Sequence, residues 1–569
     1  MSDAWKTTRR QFLAASSAMA AIGMGTSASG GSRGKPYNIL MIITDQEQSM
    51  ASFPEGLLEK LPGHRRLLEL GTNIANYHVH TTPCSPSRST IFSGHHTQRT
   101  GLFLNSDTPP NPIAAHTMPT LGHMMQEAGY FTSYKGKWHL SQINRKRDWN
   151  RVPGGIYPNT SDYLVDYGFH DYGFDGEEVG LTWDGYRSDM FVAADVSRQI
   201  FDYAEKDRAG GKPWFQVAGL VNPHDIMFYD ATGNQAASRP HPDVLAPVKT
   251  APGDPLYEVD NGFPLPESFH ADDLSDKPEA HRAIARLNDA FFGEMPLSDE
   301  ASWRRFVNYY YNCLRDVDRR VEQMLWALEA SGQMENTIII YTTDHGERAA
   351  AHGMRQKGGT MYREETNVPM IVVHPDIPGG RTTSGLMGAI DLAPTLMTLG
   401  GMSASQAANA FPDLPGVDVS SLLMHPQQKT QRDDLGHLFN YAVAYYWEPK
   451  SGRRTNTTEG AANYDQIYDL TRRRLHRGVH DGRYKFARYF APAHHHVPAD
   501  WETLDRRNDL ELYDTRADPN EITNLAYDPA RRDDVLRLNA MVNRLIEREV
   551  GRDDGSEYPG PTDIYNQEG

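Results

Sequence analysis

The stretch Pro83-Cys84-Ser85-Pro86-Ser87-Arg88-Ser89-Thr90-Ile91-Phe92-Ser93-Gly94 concentrates reactive and anion-binding residues in one place. Pro86 suits the first turn of a helix, which puts Cys84 at a helix N-terminus with backbone N–H groups nearby. Arg88 follows four residues later on the same face, where it can hold an anionic group at Cys84. These features leave two readings of Cys84 open, a reactive thiolate or a buried structural cysteine. Two polar pairs, Asp45-Gln46 and Asp344-His345, each end an apolar run, and His224 follows a third. Two carboxylates, a side-chain carbonyl and an imidazole suit a hard divalent cation, Ca2+ or Mg2+, and the histidine leaves Mn2+ open.

Strands must bring these residues together. Asn38 to Asp45 and Thr337 to Asp344 are matched apolar runs ending in an acid, Trp214 to Val221 leads into Asn222-Pro223-His224-Asp225, and Val368 to Val373 is a fourth run. Such uniform apolarity predicts strands buried on both faces, as in a parallel sheet. Helical spacing links Trp303, Phe306, Val307, Tyr310, Leu314, Val317, Val321, Met324, Leu325 and Leu328, with Ser331-Gly332 as its stop; shorter helices are predicted over 119–128 and 391–399. The result is an α/β fold, a mostly parallel central sheet sandwiched by helices. In such a sheet, ligands bind beyond the carboxyl ends of the strands, where the polar pairs lie.

The predicted catalytic domain spans 36–428, with an irregular, Pro-, Gly- and acid-rich excursion at 229–296. A smaller C-terminal α+β domain is expected over 429–550, followed by a 551–569 tail. Within it, Gly482 to Phe490 alternates like a half-exposed strand, and Arg531 to Val550 reads as a final amphipathic helix. There is no internal repeat.

Among the 569 residues 39% are hydrophobic and 23% charged, in the range of globular proteins. A net charge of −17 argues against a nucleic-acid partner, which wants a basic face. Two cysteines, Cys84 and Cys313, provide no disulfide framework, and Cys313 reads as a core residue within a helix. At the N-terminus, Thr8-Arg9-Arg10-Gln11-Phe12-Leu13 precedes an Ala- and Met-rich apolar run, then small residues to Gly31. This pattern resembles a twin-arginine signal peptide over 1–31, so a periplasmic or otherwise exported protein without a membrane span in the mature chain is expected.

Cys84-Ser85-Pro86-Ser87-Arg88 is similar to the C-x-P-S-R motif of the formylglycine-dependent sulfatases of the alkaline-phosphatase superfamily. Gly129-Tyr130-Phe131-Thr132-Ser133-Tyr134-Lys135-Gly136-Lys137-Trp138-His139 resembles the family's second signature, departing from it at Lys135. Further matches are Asn222-Pro223-His224, Asp344-His345-Gly346, Lys357 with Tyr362-Arg363-Glu364, and Glu511-Leu512-Tyr513-Asp514 with Asp518-Pro519 and Asn524-Leu525-Ala526. The resemblance runs from about Tyr37 to Ala526. It implies an alkaline-phosphatase-like fold and hydrolysis of an aryl or related sulfate ester, small-molecule or saccharide, through a covalent sulfo-enzyme intermediate. Cys84 is the implied precursor of formylglycine, made by a formylglycine-generating enzyme. Asp45, Gln46, Asp344 and His345 are the implied ligands of one divalent cation, usually Ca2+, with residue 84 joining them. Arg88 and Lys137 are implied to stabilise the aldehyde hydrate, Lys357 and His224 to contact sulfate and protonate the leaving oxygen, and His139 to deprotonate the remaining hydroxyl.

Gln46 stands where arylsulfatases usually have aspartate, and His345 where they have asparagine. Both pairs also resemble phosphonate monoester hydrolases and choline-sulfatase-like relatives, so a phosphonate monoester hydrolase or phosphodiesterase is the second reading. A non-catalytic exported binding protein with unmodified Cys84 is the third. Phe169, Tyr172, Phe174, Trp183 and Tyr186 either line a ring-binding pocket or pack beneath a loop. His494-His495-His496, between Pro492 and Pro498, is expected in an exposed loop, with the pocket rim as the alternative.

Overall fold

The computed structural model describes residues 36–103, 105–106, 118–141, 163–173, 181–208, 211–239, 246–441, 469, 471–551 and 553. The predicted signal peptide, Phe174 and nearly all of the tail lie outside the described residues.

Among the described residues, eight strands build the main sheet: β1 (Asn38–Asp45), β2 (Thr72–His78), β3 (Phe131–Gly136), β4 (His170–Gly173), β5 (Trp214–Pro223), β6 (Thr337–Thr343), β7 (Met370–Val373) and β8 (Arg381–Gly388). Their order is β4-β3-β5-β1-β6-β7-β2-β8. β1 sits between β5 and β6 and runs parallel to both, with Ile42 opposite Ala218 on one side and Tyr341 on the other. β3, β4 and β8 join in parallel pairings, whereas β7 is antiparallel to both β6 and β2. The parallel prediction therefore holds for the sheet and fails at β7, whose four apolar residues carry no signal of direction.

Every residue of β1 is buried, and its alternation feeds two cores. Ile39, Met41 and Ile43 face a layer that includes α2 (Cys84–Ser93), α3 (Leu121–Glu127) and α7 (Leu392–Leu399), through Phe92, Met124 and Leu396. Leu40 and Ile42 face α1 (Pro62–Leu70), α4 (Asp184–Arg208) and α6 (Glu300–Ala330), through Leu67, Val192 and Val321. Helix α6 ends at Ser331-Gly332, where Gly332 adopts φ +72°. Cys313 is fully buried within it, as expected of a core cysteine.

Within 229–296 the chain is less irregular than its composition suggests. Helix α5 (Glu279–Phe292) buries Ala280, Ala283, Ile284 and Phe291, a face built partly from alanines that weakens the apolar signal.

A smaller antiparallel sheet follows, in the order β12 (Asp509–Asp514), β11 (Tyr484–Phe490), β10 (Leu475–His480) and β9 (His437–Tyr441). One face packs on α8 (Arg532–Leu545), with Val479, Phe486 and Leu512 against Val535, Leu538 and Val542. The other face meets the main body, with Phe439, Ala487 and Tyr489 against Ala280 and Met361. Strand β11 is thus buried along nearly its whole length, not half-exposed. Its charged residues suggested a wet face, yet each has a buried partner. Lys485 pairs with Glu521 and donates to the Met361 carbonyl, and Arg488 donates to Asn539 and Asn543. No described helix is long and apolar enough to cross a membrane.

Candidate functional site

Because β1, β3, β5 and β6 run parallel, the residues after their carboxyl ends gather at one edge of the sheet: Asp45, Lys137, His224 and Asp344. The segment leaving β2 reaches the same edge and starts α2 at Cys84, as Pro86 predicts. Asp45, Cys84, Asp344 and His345 are all buried and present ligand atoms within 4.8 Å of one another. Cys84 Sγ lies 3.2 Å from His345 Nε2 and 3.9 Å from Asp45 Oδ1. Burial and then the Asp45 charge push the Cys84 thiol up, which outweighs Lys137, Lys357 and a hydrogen bond from His139. The cysteine is buried, as the second reading of Cys84 has it, and the raised thiol speaks against a thiolate, although the sulfur faces charged groups.

Gln46 is held by its surroundings. Its backbone adopts φ +71°, and its Nε2 donates to Glu347 Oε2 at 2.5 Å and to Gln356 Oε1 at 3.2 Å. Those acceptors take both amide hydrogens, so the carbonyl oxygen is the atom turned to the site, where the Lys357 ammonium donates to it. At His345, Nδ1–H donates to the Gly346 carbonyl at 3.0 Å, so Nε2 is the ring atom turned to the site, 3.7 Å from an oxygen of both Asp45 and Asp344.

Lys137 is buried and paired with Asp45. It follows Gly136, whose φ is +93° and whose Cβ would stand 1.9 Å from the Gly219 carbonyl oxygen. Only glycine lets β3 approach β5 there and turn Lys137 inward. Burial would raise the Asp45 carboxyl, but Lys137 and then His224, His345 and Lys357 hold it well below the usual carboxylate range. Burial and the Asp45 charge push Asp344 up instead. Two facing carboxylates, an oriented amide oxygen and an imidazole nitrogen fit a hard divalent cation, whose charge would relieve that repulsion.

Arg88 lies one helical turn beyond Cys84, but its described bonds go elsewhere. It donates to Asp344 Oδ2 at 2.9 Å, the Tyr134 hydroxyl at 3.1 Å, and the carbonyls of Trp138 and Lys137 at 3.1 and 2.6 Å. Its evident work is to fix Asp344 and the Lys137-Trp138 turn. His139, at φ +53°, is half-buried, as is Lys357, whereas His224 is buried at the end of β5.

Several residues in this arrangement carry no sequence signal. Glu365, fully buried, accepts from Thr82 Oγ1 at 2.9 Å, Arg348 Nη1 at 2.6 Å and Gly358 N–H at 2.5 Å, tying the approach to Cys84 to the loop bearing Lys357. Asp189 accepts from Val221 and Asn222 N–H, and Asp225 from Gly185 and Tyr186 N–H, which sets the turn at His224. The aromatic segment divides: Phe169 and Tyr172 pack against Tyr134, and Trp138 joins Phe169 in the core. Of the histidine triplet His494 is exposed, while His495 pairs with Asp553 at 3.0 Å and His496 bonds Asn508 at 3.0 Å.

Residues 37–402 match the Sulfatase family. This chain belongs to the sulfatase family. It is 27% identical over 387 residues to the uncharacterized sulfatase YidJ of Escherichia coli K12, covering 64% of this chain and 68% of that protein. It is 24% identical to the Delta 4,5-hexuronate-2-O-sulfatase of Bacteroides thetaiotaomicron, covering 84% and 82%. The solved structure of a 2-O GAG sulfatase superposes with a TM-score of 0.64 at 21% identity, covering 94% of this chain and 96% of that one. The sulfatase is accordingly a sulfuric ester hydrolase with the alkaline-phosphatase-like fold expected of it.

Proposed function

We propose that this sulfatase removes sulfate from a sulfated saccharide, using a formylglycine formed at Cys84 beside one divalent cation held by Asp45, Gln46, Asp344 and His345. The observation that carries the reading is the convergence of Asp45, Cys84, Asp344 and His345 within 4.8 Å at the carboxyl edge of the sheet. The cysteine thiol stands in this structure for the aldehyde hydrate. When bound, the cation, Ca2+ or another hard divalent ion, supplies electrostatic stabilisation of oxygen charge, and the hydrate supplies the attacking hydroxyl.

The chain's own residues do the remaining work. Lys137, paired with Asp45, and Arg88, paired with Asp344, keep the two carboxylates oriented. Lys357, on the Gln46 carbonyl, and His224 supply positive charge for the sulfate oxygens, and one of them gives a proton to the leaving oxygen. His139, which hydrogen-bonds the residue-84 side chain, takes a proton from it to release sulfate. The neutral Gln46 keeps the ligand set at two negative charges, so the site accepts a sulfate ester and also penalises phosphoryl esters less than a set with a third carboxylate would.

The saccharide class is supported by the relatives that act on hexuronate and glycosaminoglycan 2-O-sulfates. Maturation by a formylglycine-generating enzyme, export through Arg9-Arg10, and division into a catalytic domain at 36–428 and a smaller one at 429–550 belong to the same reading.

Peptide mass spectrometry of protein from its native host, followed by rates on a 2-O-sulfated hexuronate disaccharide, nitrophenyl sulfate and a phenyl phosphonate monoester, tests it. Aldehyde at residue 84 and fastest turnover of the disaccharide are expected. Unmodified Cys84 would favour the binding-protein reading, and a phosphonate preference of about tenfold or more would favour the phosphonate monoester hydrolase.

A further inference from the structure

A second group of metal-ligating side chains lies away from the candidate active site, at the seam between the main sheet and the C-terminal sheet. His80, His96 and Glu549 are buried there, with ligand atoms within 4.8 Å of one another. His437, fully buried at the start of β9, stacks on His80 with ring centroids 4.2 Å apart. The function proposed above uses none of these residues.

Their hydrogen bonds aim lone pairs into one gap. His80 Nδ1–H donates to the Leu438 carbonyl at 2.6 Å, so its Nε2 carries the lone pair, and that atom has no hydrogen-bond partner. His437 Nε2–H donates to the Val79 carbonyl at 3.3 Å, and its Nδ1 is likewise without a partner. A Cβ on Gly388 would stand 2.6 Å from His80 Nε2 and 2.9 Å from His437 Nδ1. Gly388 has φ −107°, an angle open to any residue, so the glycine preserves the space and not the backbone. His80, an imidazole anchored through one nitrogen to a carbonyl with its other nitrogen bare and buried, has the arrangement of a metal ligand.

The charges agree. Glu549 Oε1 accepts from Arg432 Nη1 at 2.5 Å, and its Oε2 accepts from His96 Nε2–H at 3.2 Å, a hydrogen bond that a bound cation would replace. Arg432 also pairs with Asp391 at 2.7 and 3.0 Å, so its charge is already matched and Glu549 leaves one net negative charge in the cluster. Imidazole nitrogens with one carboxylate suit zinc and its neighbours, unlike the oxygen-rich set around Asp45. Ligand atoms around zinc stand about 3.3 Å apart, so His80, His96 and Glu549, within 4.8 Å of one another, need only a modest closing to hold it, with water as the fourth ligand.

We propose that His80, His96 and Glu549 bind a zinc-class divalent cation that ties the turn after α8 to the segment leading into Cys84, with His437 stacked on His80 and not a ligand. The site is buried, and its ion is separate from the one proposed at Asp45.

The test uses full-length, tag-free protein stripped with chelator and titrated with Co2+. One equivalent is expected to give the intense visible absorption of four-coordinate cobalt, to be displaced by Zn2+, and to raise the thermal midpoint. H80Q and H96Q are expected to lose the band, and the D45N/D344N pair to keep it. A wild-type titration without the band, or a band that survives in H80Q and H96Q or vanishes in D45N/D344N, overturns the proposal. Zinc-edge X-ray absorption of the wild type needs no variant. A shell with two or more imidazoles supports the site if H494A/H495A/H496A leaves the spectrum unchanged; an all-oxygen shell, or loss of that spectrum in the triple variant, overturns it.

Discussion

Gln46 shows how a neutral amide is made to present one chosen atom. Glu347 and Gln356 occupy its nitrogen, and its oxygen is left for the site. Gln46→Glu keeps the shape but sets a carboxylate oxygen about where Nε2 now meets Glu347 at 2.5 Å. The lost bond and the like-charge contact are expected to cost about 1–3 kcal/mol near neutral pH, with partial recovery on acidification; urea unfolding at two pH values measures this. Glu365→Gln removes the countercharge of the fully buried Arg348. A loss of about 3–5 kcal/mol is expected, because an unmatched buried charge is left behind. Thermal unfolding reads it, and Glu365→Asp should recover part of the loss.

At the scale of elements, the parallel strands align the points where the chain turns toward the site. Gly136 permits one such turn, since β3 and β5 come too close there for any side chain. Gly136→Ala is expected to cost about 2–5 kcal/mol from combined strain and overpacking, and to lower the soluble yield; denaturant unfolding and sedimentation check it. The buried runs 38–45, 214–221 and 337–344 were legible as strands because they are covered on both faces. Direction was not legible in β7, nor burial in β11, because pairing partners and covering layers are chosen by distant parts of the chain. Helix α5 was missed because alanines make much of its buried face.

Across the whole molecule, buried ion pairs set the pH range of stability. Burial would lower His64, but the Glu47 charge and the Asp318 hydrogen bond raise it from 6.5 to about 10. Its contribution is complete below pH 6.5 and is lost as pH rises through 10. Burial would raise Glu511, but His281, Tyr489 and Tyr513 bring it from 4.5 to about 2, so its contribution is complete above pH 4.5 and is lost as pH falls through 2. For these two groups together, stability is expected to be greatest between pH 4.5 and 6.5 and to fall on either side. Urea midpoints across pH test this. His64→Gln should flatten the alkaline limb, and Glu511→Gln the acid limb.

The identities of Cys84, Asp45, Gln46, Asp344 and His345, and their places at the ends of apolar runs, could be read from the chain alone. Local spacing fixes which residues share a helix turn or end a strand, and those are short-range facts. The orientation of Gln46 by Glu347, the bridge from Thr82 to Glu365 and the salt bridge from His64 to Asp318 join residues 301, 283 and 254 positions apart. The same is true of the gap shared by His80 and His437 beside Gly388. Such contacts depend on which strands become neighbours and how closely the two sheets pack. No local pattern encodes them, so they appear only once the chain has closed on itself.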